Sequence, residues 1–255
     1  MDLHVHTNFS DGEDAVAEVI QRARERGIGL LAITDHFDPY DRGVLNREAT
    51  AEDLFRHFDL IRQEACRQNL KVLCGIETCT GMDGRLRLPQ GVIDACDIII
   101  TSPHYLDYEG ELKKGEWMNG EYWEAYKRLV IKMAAGEGDV LGHPESYLPF
   151  RPMLPDGTTF EDRMSIARQI ADTYFDADYI SHLSGVLLAS GKAYELHGMS
   201  NSPREWVIEA LHQMGVCFSI GSDAHALRDI GCNARALELA GRLGLRIITP
   251  KTKTA

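Results

Sequence analysis

Histidine and acidic residues recur along this chain directly after short apolar segments. His4 and His6 end the first segment, Glu77 ends a later one, and Asp223 and His225 follow the last. Six of the ten histidines belong to this set, which scattered surface histidines would not produce. Imidazole and carboxylate donors without cysteine favour zinc, manganese or iron. The complete set of candidate metal ligands is His4, His6, Asp11, His36, Glu77, His104, His143, Asp223 and His225.

The elements that must position these residues alternate along the chain. Short apolar runs typical of buried parallel strands are followed by segments with the 3.6-residue period of helices. This order predicts βαβ units, and 255 residues is an ordinary length for an α/β barrel. Residues 246–249 are either an eighth strand or an edge segment. The seven predicted strands span residues 2–5, 30–34, 72–77, 97–101, 140–142, 193–196 and 216–221.

All nine candidate ligands lie where strands of such a barrel would end. Functional groups of α/β barrels gather on the loops at the carboxyl ends of the strands. His4 and His6 are two residues apart, so both side chains lie on one side of the first strand. Nine ligands exceed the needs of one catalytic ion, so two or three divalent ions are expected. The sixth strand, which ends at Glu195-Leu196-His197, carries no assigned ligand.

Two sites in the sequence predict where helices begin. Thr50 with Asp53 three residues later has the spacing of a capping box. Ser202 followed by Pro203 predicts an N-cap with proline in the first helical position.

The chain is expected to form a single domain over residues 1–255. No internal repeat or linker marks a domain boundary. Residues 150–192 form a long helical insertion without candidate ligands, with one helix around residues 162–175 and a second, short helix. An insertion of this length is either a lid or specificity element, or a helical cover for the barrel.

Charge and composition restrict the partners and the compartment. A formal charge of −12 argues against a stable nucleic-acid partner or an anionic membrane. No apolar run approaches the roughly 18 residues of a membrane span, and the first residues leave no room for a signal peptide. The cysteines form no C-x-x-C pair, so free thiols and a cytoplasmic location are expected. Cys79, two residues after Glu77, could approach a metal.

The order of motifs HxH, loop Asp, TDH, GxE, SxH, GH and SDxH resembles the polymerase and histidinol phosphatase (PHP) family, from His4 to about Gly231. The resemblance is closest to the histidinol-phosphatase-like branch, although Glu195-Leu196-His197 stands where that branch usually has Glu-x-Asn. It implies a distorted seven-stranded (β/α) TIM-like barrel with a trinuclear site. The implied ligand sets are His4, His6, Glu77 and Asp223 for the first ion, Glu77, His104 and His143 for the second, and Asp11, His36 and His225 for the third.

The ligands and the resemblance together predict a metal-dependent hydrolase. A metal-activated hydroxide would hydrolyse a small phosphorylated metabolite, a phosphomonoester, and release phosphate. Glu77, as bridging ligand, is expected to be catalytic together with Asp223 and His225. A metal-dependent amidohydrolase, or a phosphatase or phosphodiesterase acting on nucleotides, is the alternative. A non-catalytic metal-stabilised module would be expected to lack some of the ligands. The oligomeric state is left open.

Arginine side chains are the expected contacts of the substrate phosphate, because a guanidinium binds oxygens in a bidentate manner. Arg151 and Arg228 are preferred because they follow His143 and His225 by eight and three residues. His197 is a further predicted substrate contact. Other cations of strand-end loops are Arg42, Arg87 and Lys113.

Two acidic residues and two histidines near these motifs have open roles. Asp35 and Glu145 are expected either to assist the ligands or to be solvated loop carboxylates. His57 and His212 fall within helices, where they are expected to be structural or exposed.

Overall fold

The computed structural model describes residues 1–38 and 49–250, and six parallel strands form a curled sheet within these ranges. Their order in the sheet is their order in the chain. Parallel neighbours in chain order require a crossover between each pair, and helices supply most of these crossovers. The predicted α/β class is therefore confirmed. The strands are β1 Leu30–Ile33, β2 Lys71–Thr78, β3 Ile98–Thr101, β4 Val140–Leu141, β5 Ala193–His197 and β6 Phe218–Gly221.

Residues 2–6 lie between β1 and β6 without forming a regular strand. The N–H of Asp2 donates to the carbonyl of Leu30 at 2.9 Å, and the N–H of Leu3 donates to the carbonyl of Ile220 at 2.8 Å. The segment makes one isolated bridge to each side, which is too short for a ladder. Seven regular strands are therefore not confirmed, since the first predicted strand is an irregular segment bonded to both sheet edges.

The last predicted extended run is an edge segment rather than a strand. Within residues 246–249, Ile247 forms one parallel bridge to Phe218. The N–H of Ile248 donates to the carbonyl of Phe218 at 2.8 Å. This contact covers the start of β6 and extends no further.

Eight α-helices and one short 3-10 helix surround the sheet in the described ranges. Thr50 and Asp53 form the predicted capping box, since each side chain accepts from the backbone N–H of the other. The prediction of a helix start at Ser202 is wrong, because the helix begins at Glu205 with Arg204 in the N-cap position, and the carbonyl of Ser202 accepts instead from the N–H of His197. The helices are α1 Val16–Glu25, α2 Ala51–Gln68, α3 Gln90–Ala95, α4 Gly120–Ala135, α5 Phe160–Tyr174, α6 Ala177–Ser190, α7 Glu205–Gln213 and α8 Ala234–Leu243, and the 3-10 helix is Arg151–Met153.

Alternate residues of the strands face the inner side of the curled sheet and the layer under the helices. Ala193 packs in a small buried cluster with Leu73 and Ile98. Tyr194 and Leu196 pack in a larger cluster with residues of the helices. Because side chains alternate along a strand, the positions after Ala193 that share its side are 195 and 197. The interior therefore changes from apolar to polar towards the carboxyl ends of the strands.

The insertion at residues 150–192 contains two long helices rather than one long and one short helix. Helix α6 has 14 residues and packs against α4 and α7. Helix α5 buries Ile166, Ala167 and Ile170, so it contributes to the core. Across the described ranges, no helix combines the length and the apolar character that crossing a bilayer requires.

Candidate metal centre

Glu77, on β2, lies at the centre of the candidate ligands. Its Oε1 is 2.8 Å from Nε2 of His143 and 3.1 Å from Nε2 of His104. Its Oε2 is 3.1 Å from Nδ1 of His36 and 3.3 Å from Nε2 of His4. The Glu77 side chain is buried, and both of its oxygens face imidazole nitrogens. A carboxylate in this position can bridge two cations.

Asp223 is the second carboxylate of the buried part of the site. Its Oδ1 lies 3.0 Å from Nε2 of His6 and 3.4 Å from Nε2 of His4. Its backbone φ of 58° is unusual for a residue with a side chain, and His143 also has a positive φ, of 27°. Such conformations occur where the surrounding structure fixes a functional side chain.

Asp11 lies on the outer side of the site with His225 and His36. Its Oδ1 is 3.2 Å from Nε2 of His225, and its Oδ2 is 3.6 Å from Nε2 of His36. The side chains of Asp11 and His225 are 39% and 36% exposed, whereas Glu77 is buried. The site therefore opens to solvent on the side of Asp11 and His225.

The donor atoms of these residues form overlapping groups in which all atoms lie within 4.8 Å of one another. One group matches the first implied ligand set, and another contains the whole third set together with His6. The second implied set is not such a group among the described residues, although His104 and His143 contact the same oxygen of Glu77. The groups are His4, His6, Glu77 and Asp223; His6, Asp11, His36 and His225; His36, Glu77 and His104; and His4, His143 and Glu195.

Several of the buried donor atoms have no hydrogen bond of acceptable geometry within the described residues. They include Nε2 of His4, Nε2 of His6, Nδ1 of His36 and Oδ1 of Asp223. A buried polar atom without a partner costs about 1–3 kcal/mol, so several that face one another need a common partner. Neutral imidazoles and carboxylates suit a divalent cation in that place.

The electrostatics of the site favour an ionised Glu77 beside a neutral His36, whereas neighbouring carboxylates outweigh burial and raise the pKa of His4, of His104 and of His225. Burial by itself raises the pKa of Glu77, but His104, His4 and His36 outweigh it and hold this pKa well below its ordinary value. Burial lowers the pKa of His36 to about 3, against the attraction of Glu77. Glu77 and His36 are thus in the protonation states in which carboxylate and imidazole bind metals, and metal binding at the histidines of raised pKa would release protons.

The comparison with known families agrees with the geometry. The family model described as the PHP domain matches residues 2–181. The chain belongs to the PHP domain family. The resemblance inferred from the sequence is thereby confirmed.

Relatives of this PHP domain include proteins named as phosphatases. A probable phosphatase of Thermoanaerobacter sp. (strain X514) is 24% identical over 96% of this chain and 86% of its own length. The probable phosphatase YcdX of Escherichia coli O127:H6 (strain E2348/69) is 22% identical over 91% of this chain and 80% of its own.

The fold of this PHP domain matches that of a solved structure. Histidinol phosphate phosphatase from Lactococcus lactis subsp. lactis, crystallised with zinc, L-histidinol and phosphate, superposes with a TM-score of 0.71 at 18% identity. The match covers 98% of this chain and 96% of the other.

Glu195 is a residue of the PHP domain site that the sequence reasoning missed. Its Oε1 lies 2.7 Å from Nδ1 of His4, and its Oε2 accepts from the backbone N–H of His143 at 2.9 Å. A Cβ on Gly221 would lie 2.6 Å from Oε1 of Glu195, so glycine is needed to admit this carboxylate. The alternation along β5, counted from Ala193, was the signal that could have identified Glu195.

His197 lies behind Asp223 rather than in contact with substrate space. Its side chain is 0% exposed, and its Nε2 lies 3.1 Å from Oδ2 of Asp223. Its Nδ1 accepts from the backbone N–H of Ser200 at 3.1 Å, so Nε2–H is the donor to Asp223. The structure does not bring His197 to the site cavity, and its position fits orientation of Asp223.

Asp35 is buried and holds the loop that carries Asp11. Its Oδ1 accepts from the N–H of Thr7 at 2.7 Å and from Oγ of Ser10 at 2.7 Å. Its Oδ2 lies 2.8 Å from Nε2 of His57, on α2. A solvated role for Asp35 is therefore wrong, and His57 is a buried structural residue.

Glu145 and Cys79 are also buried and take part in packing. Glu145 pairs with Arg204 at 2.8 Å, and both side chains are 4% exposed. A solvated role for Glu145 is therefore wrong as well. Burial raises the pKa of the Cys79 thiol to about 12, and this residue belongs to none of the metal groups found in the described ranges.

A cavity of about 350 Å³ lies beside the candidate metal centre. The predicted ligands Glu77, His104 and Asp223 contribute to one part of its lining. Three segments form the rest of the wall. They are the loop after β3, the loop before the insertion, and the insertion itself. The residues of this part of the wall are Tyr105, Tyr147, Leu148, Pro149, Arg151 and Arg163.

The two predicted phosphate contacts have different positions. Arg151 lines the cavity, as its place after His143 suggested. Arg228 does not line it, because its guanidinium lies 3.3 Å from Glu13 and its side chain is 70% exposed. Arg163, which the sequence reasoning missed, is the second arginine of the cavity lining.

The other candidate cations are not among the cavity-lining residues. Arg87 lies 3.1 Å from Asp38, and Lys113 lies 3.5 Å from Glu111. Arg42 falls outside the described residues.

Proposed function

We propose that this PHP-domain protein is a metal-dependent phosphatase that hydrolyses a small phosphomonoester with two or three divalent ions. The observation that carries the proposal is the position of Glu77, whose two oxygens face imidazoles of four different segments beside a cavity with arginine in its wall. The names found in the comparisons support the same chemistry, since one relative is named a probable phosphatase and the solved structure of similar fold is named a histidinol phosphate phosphatase.

The ligands would divide into three sets around the two carboxylates. The compact groups of donor atoms support the first and third sets, and the shared oxygen of Glu77 supports the second. The sets are His4, His6, Glu77 and Asp223; Glu77, His104 and His143; and Asp11, His36 and His225. Zinc, manganese and iron all suit these donors.

The chain's own residues prepare the site for hydrolysis. When bound, the ions would supply a water of lowered pKa and neutralise charge on the phosphoryl group. Glu77 and Asp223 stay ionised, because neighbouring imidazoles outweigh burial and hold the pKa of each carboxyl well below its usual value. Asp223 and His225 line the cavity, where they would contact the attacking water and the phosphoryl oxygens.

Arg151 would bind the phosphoryl oxygens from the side opposite the ligands. Its guanidinium offers paired N–H donors that match two oxygens of a phosphate. An amide or lactone substrate has no comparable anionic group, so the arginine wall favours the phosphatase over the amidohydrolase. A nucleotide phosphomonoester remains within the proposed class.

The test is an assay of the purified protein after removal of metal with a chelator and reloading with Mn²⁺, Zn²⁺ or Fe²⁺. The panel contains phenyl phosphate, histidinol phosphate, a nucleoside monophosphate, bis(4-nitrophenyl) phosphate and an amide substrate. Hydrolysis of monoesters that depends on reloading is the expected result. A protein that binds none of these metals, or that prefers the amide in every metal form, contradicts the proposal. If histidinol phosphate is inert while other monoesters react, the phosphatase proposal stands without that substrate.

A further inference from the structure

Apart from the candidate ligands, the lining of the cavity contains two arginines and no carboxylate. The acidic residues of the cavity lining are Asp11, Glu77 and Asp223, and all three belong to the candidate ligand sets. When these carboxylates face cations, the rest of the lining presents Arg151 and Arg163 among aromatic and apolar residues. A leaving group in this cavity therefore meets a positively charged wall.

Arg163 has no ion-pair partner within the described parts of the chain. Its Nε is buried without a hydrogen bond, and its Cζ lies 5.3 Å from the centre of the Tyr147 ring. The ring of Phe150 lies 6.0 Å from the same atom. Arg168, on the same helix, pairs instead with Asp172 at 3.1 Å. The Arg163 guanidinium is thus fixed on aromatic rings but left without an anion.

The energetics of Arg163 also favour an anionic ligand. Burial lowers the pKa of its guanidinium, and the positive charge of Arg151 acts in the same direction, partly offset by Tyr147. Both effects disfavour the charged state that an arginine retains at neutral pH. An anion bound by Arg163 would offset this cost.

Tyr147 contacts both Arg163 and a candidate ligand. Its ring lies against the imidazole of His143, with 5.2 Å between the ring centres, and the Arg163 guanidinium lies over the same ring. A leaving group that extends from the ligands past Tyr147 would reach Arg163. In that placement Arg163 contacts the leaving group and not the phosphoryl group that is hydrolysed.

We propose that the leaving group of the substrate carries a second anionic group, a carboxylate or a phosphate, and that Arg163 binds this group. The inference rests on the proposed phosphatase function and adds the class of substrate. Arg163 is then a specificity-determining residue, and a leaving group with a protonated amine, such as histidinol, is a poor match for the wall.

A charge series of aryl phosphates tests this inference. Phenyl phosphate, 4-carboxyphenyl phosphate, 4-phosphonophenyl phosphate and 4-(aminomethyl)phenyl phosphate share one leaving-group skeleton and differ in the charge of one substituent. We expect kcat/KM of the metal-loaded protein to be about tenfold higher for the anionic esters than for phenyl phosphate, the scale of one charge-assisted hydrogen bond. The aminomethyl ester should be the slowest. The carboxylate and phosphonate esters distinguish the two kinds of anion.

Two variants assign the preference to Arg163. Arg163→Gln should abolish the preference for anionic esters, so that kcat/KM of the carboxylate and phosphonate esters equals that of phenyl phosphate in the same variant. Arg168→Gln is the matched control on the same helix, and it should leave the whole series unchanged. Equal thermal unfolding temperatures of the two variants would show that helix α5 is intact.

The results separate this inference from the proposed function. If phenyl phosphate is hydrolysed but charge has no effect, or Arg163→Gln slows every ester equally, the inference fails and the phosphatase function stands. If no ester of the series is hydrolysed in any metal form, the proposed function itself fails.

Discussion

Oε1 of Glu195 lies 2.7 Å from Nδ1 of His4, and both residues are buried. This contact leaves Nε2 of His4 directed at Glu77 and Asp223. A carboxylate that holds the far nitrogen of a ligating histidine fixes the orientation and the tautomer of the ring. Glu195 therefore acts on the centre through His4, and also through the backbone of His143.

Glu195→Gln should weaken metal binding about 10–100-fold, the usual effect of losing such a partner of a ligand. Competition with a chromophoric chelator measures the affinity. Asp97→Asn is the control, because Asp97 is a buried carboxylate at the start of β3, at the opposite end of the strands. Unchanged affinity in Glu195→Gln would exclude this role.

Glu77→Gln should remove both hydrolysis and most of the bound metal. The neutral amide offers one oxygen and one N–H₂ group to imidazoles that face both oxygens of the native carboxylate. Elemental analysis of the purified variant gives the metal content, and the phosphomonoester assay gives the activity. A variant with near-normal turnover would show that Glu77 is not a bridging ligand.

His197→Ala should lower kcat about tenfold and leave KM nearly unchanged. The substitution removes the donor to Oδ2 of Asp223, and a hydrogen bond to a charged group contributes about 1.5–3 kcal/mol. Steady-state kinetics with a phosphomonoester separates the two constants. A rise in KM at constant kcat would instead support the substrate contact predicted from the sequence.

Arg151→Gln should reduce kcat/KM for all phosphomonoesters at least about tenfold, whereas Arg228→Gln should have little effect. Arg151 lines the cavity, and Arg228 is an exposed partner of Glu13. Loss of one charge-assisted contact to phosphate is of this size. The same kinetic assay on both variants is the measurement, and a large effect of Arg228→Gln would contradict the structure.

Asp35 should make the stability of the metal-free protein depend on pH in the acid range. Burial raises the pKa of Asp35, but the hydrogen bond and charge of His57 outweigh it and lower this pKa from 3.8 to about 2. The folded state then binds the Asp35 proton less tightly than the unfolded state. The resulting stabilisation, roughly 2 kcal/mol, is complete above about pH 4 and is lost as the pH falls towards 2.

Urea unfolding at pH 5 and pH 3 of the native chain and of Asp35→Asn tests this dependence. The native chain should lose more stability between the two pH values than the variant does. Asp94→Asn, at an exposed position on α3, should keep the dependence of the native chain. Identical losses in all three proteins would contradict the assignment.

The sequence predicted the parallel α/β architecture and the meeting of the candidate ligands for one physical reason. The carboxyl ends of parallel strands lie on the same side of a sheet, so residues as distant as His4 and His225 are brought together once the strands are identified. The irregular pairing of residues 2–6 was not predictable, because it depends on the spacing between β1 and β6. Whether the nine side chains bind metal stays a prediction.

The predictions from the sequence were wrong where residues close in the chain were assumed to be close in space. Arg228 is close to His225 in the chain, but its guanidinium turns to Glu13, 215 residues away. His197 ends its strand as expected, yet it is buried behind Asp223. Arg163 reaches the cavity only because α5 packs beside it, and no local pattern indicates the path of that helix.

Residues 2–6 contribute both to the sheet and to the candidate metal centre. Their backbone bonds to β1 and β6, and their histidines face Glu77 and Asp223. The contacts that join β1 to β6 and the contacts that form the candidate centre therefore involve the same segment, and a cation held by His4 and His6 would stabilise both. Slowed amide hydrogen exchange at Leu3 and His6 would then be a direct sign of a loaded centre.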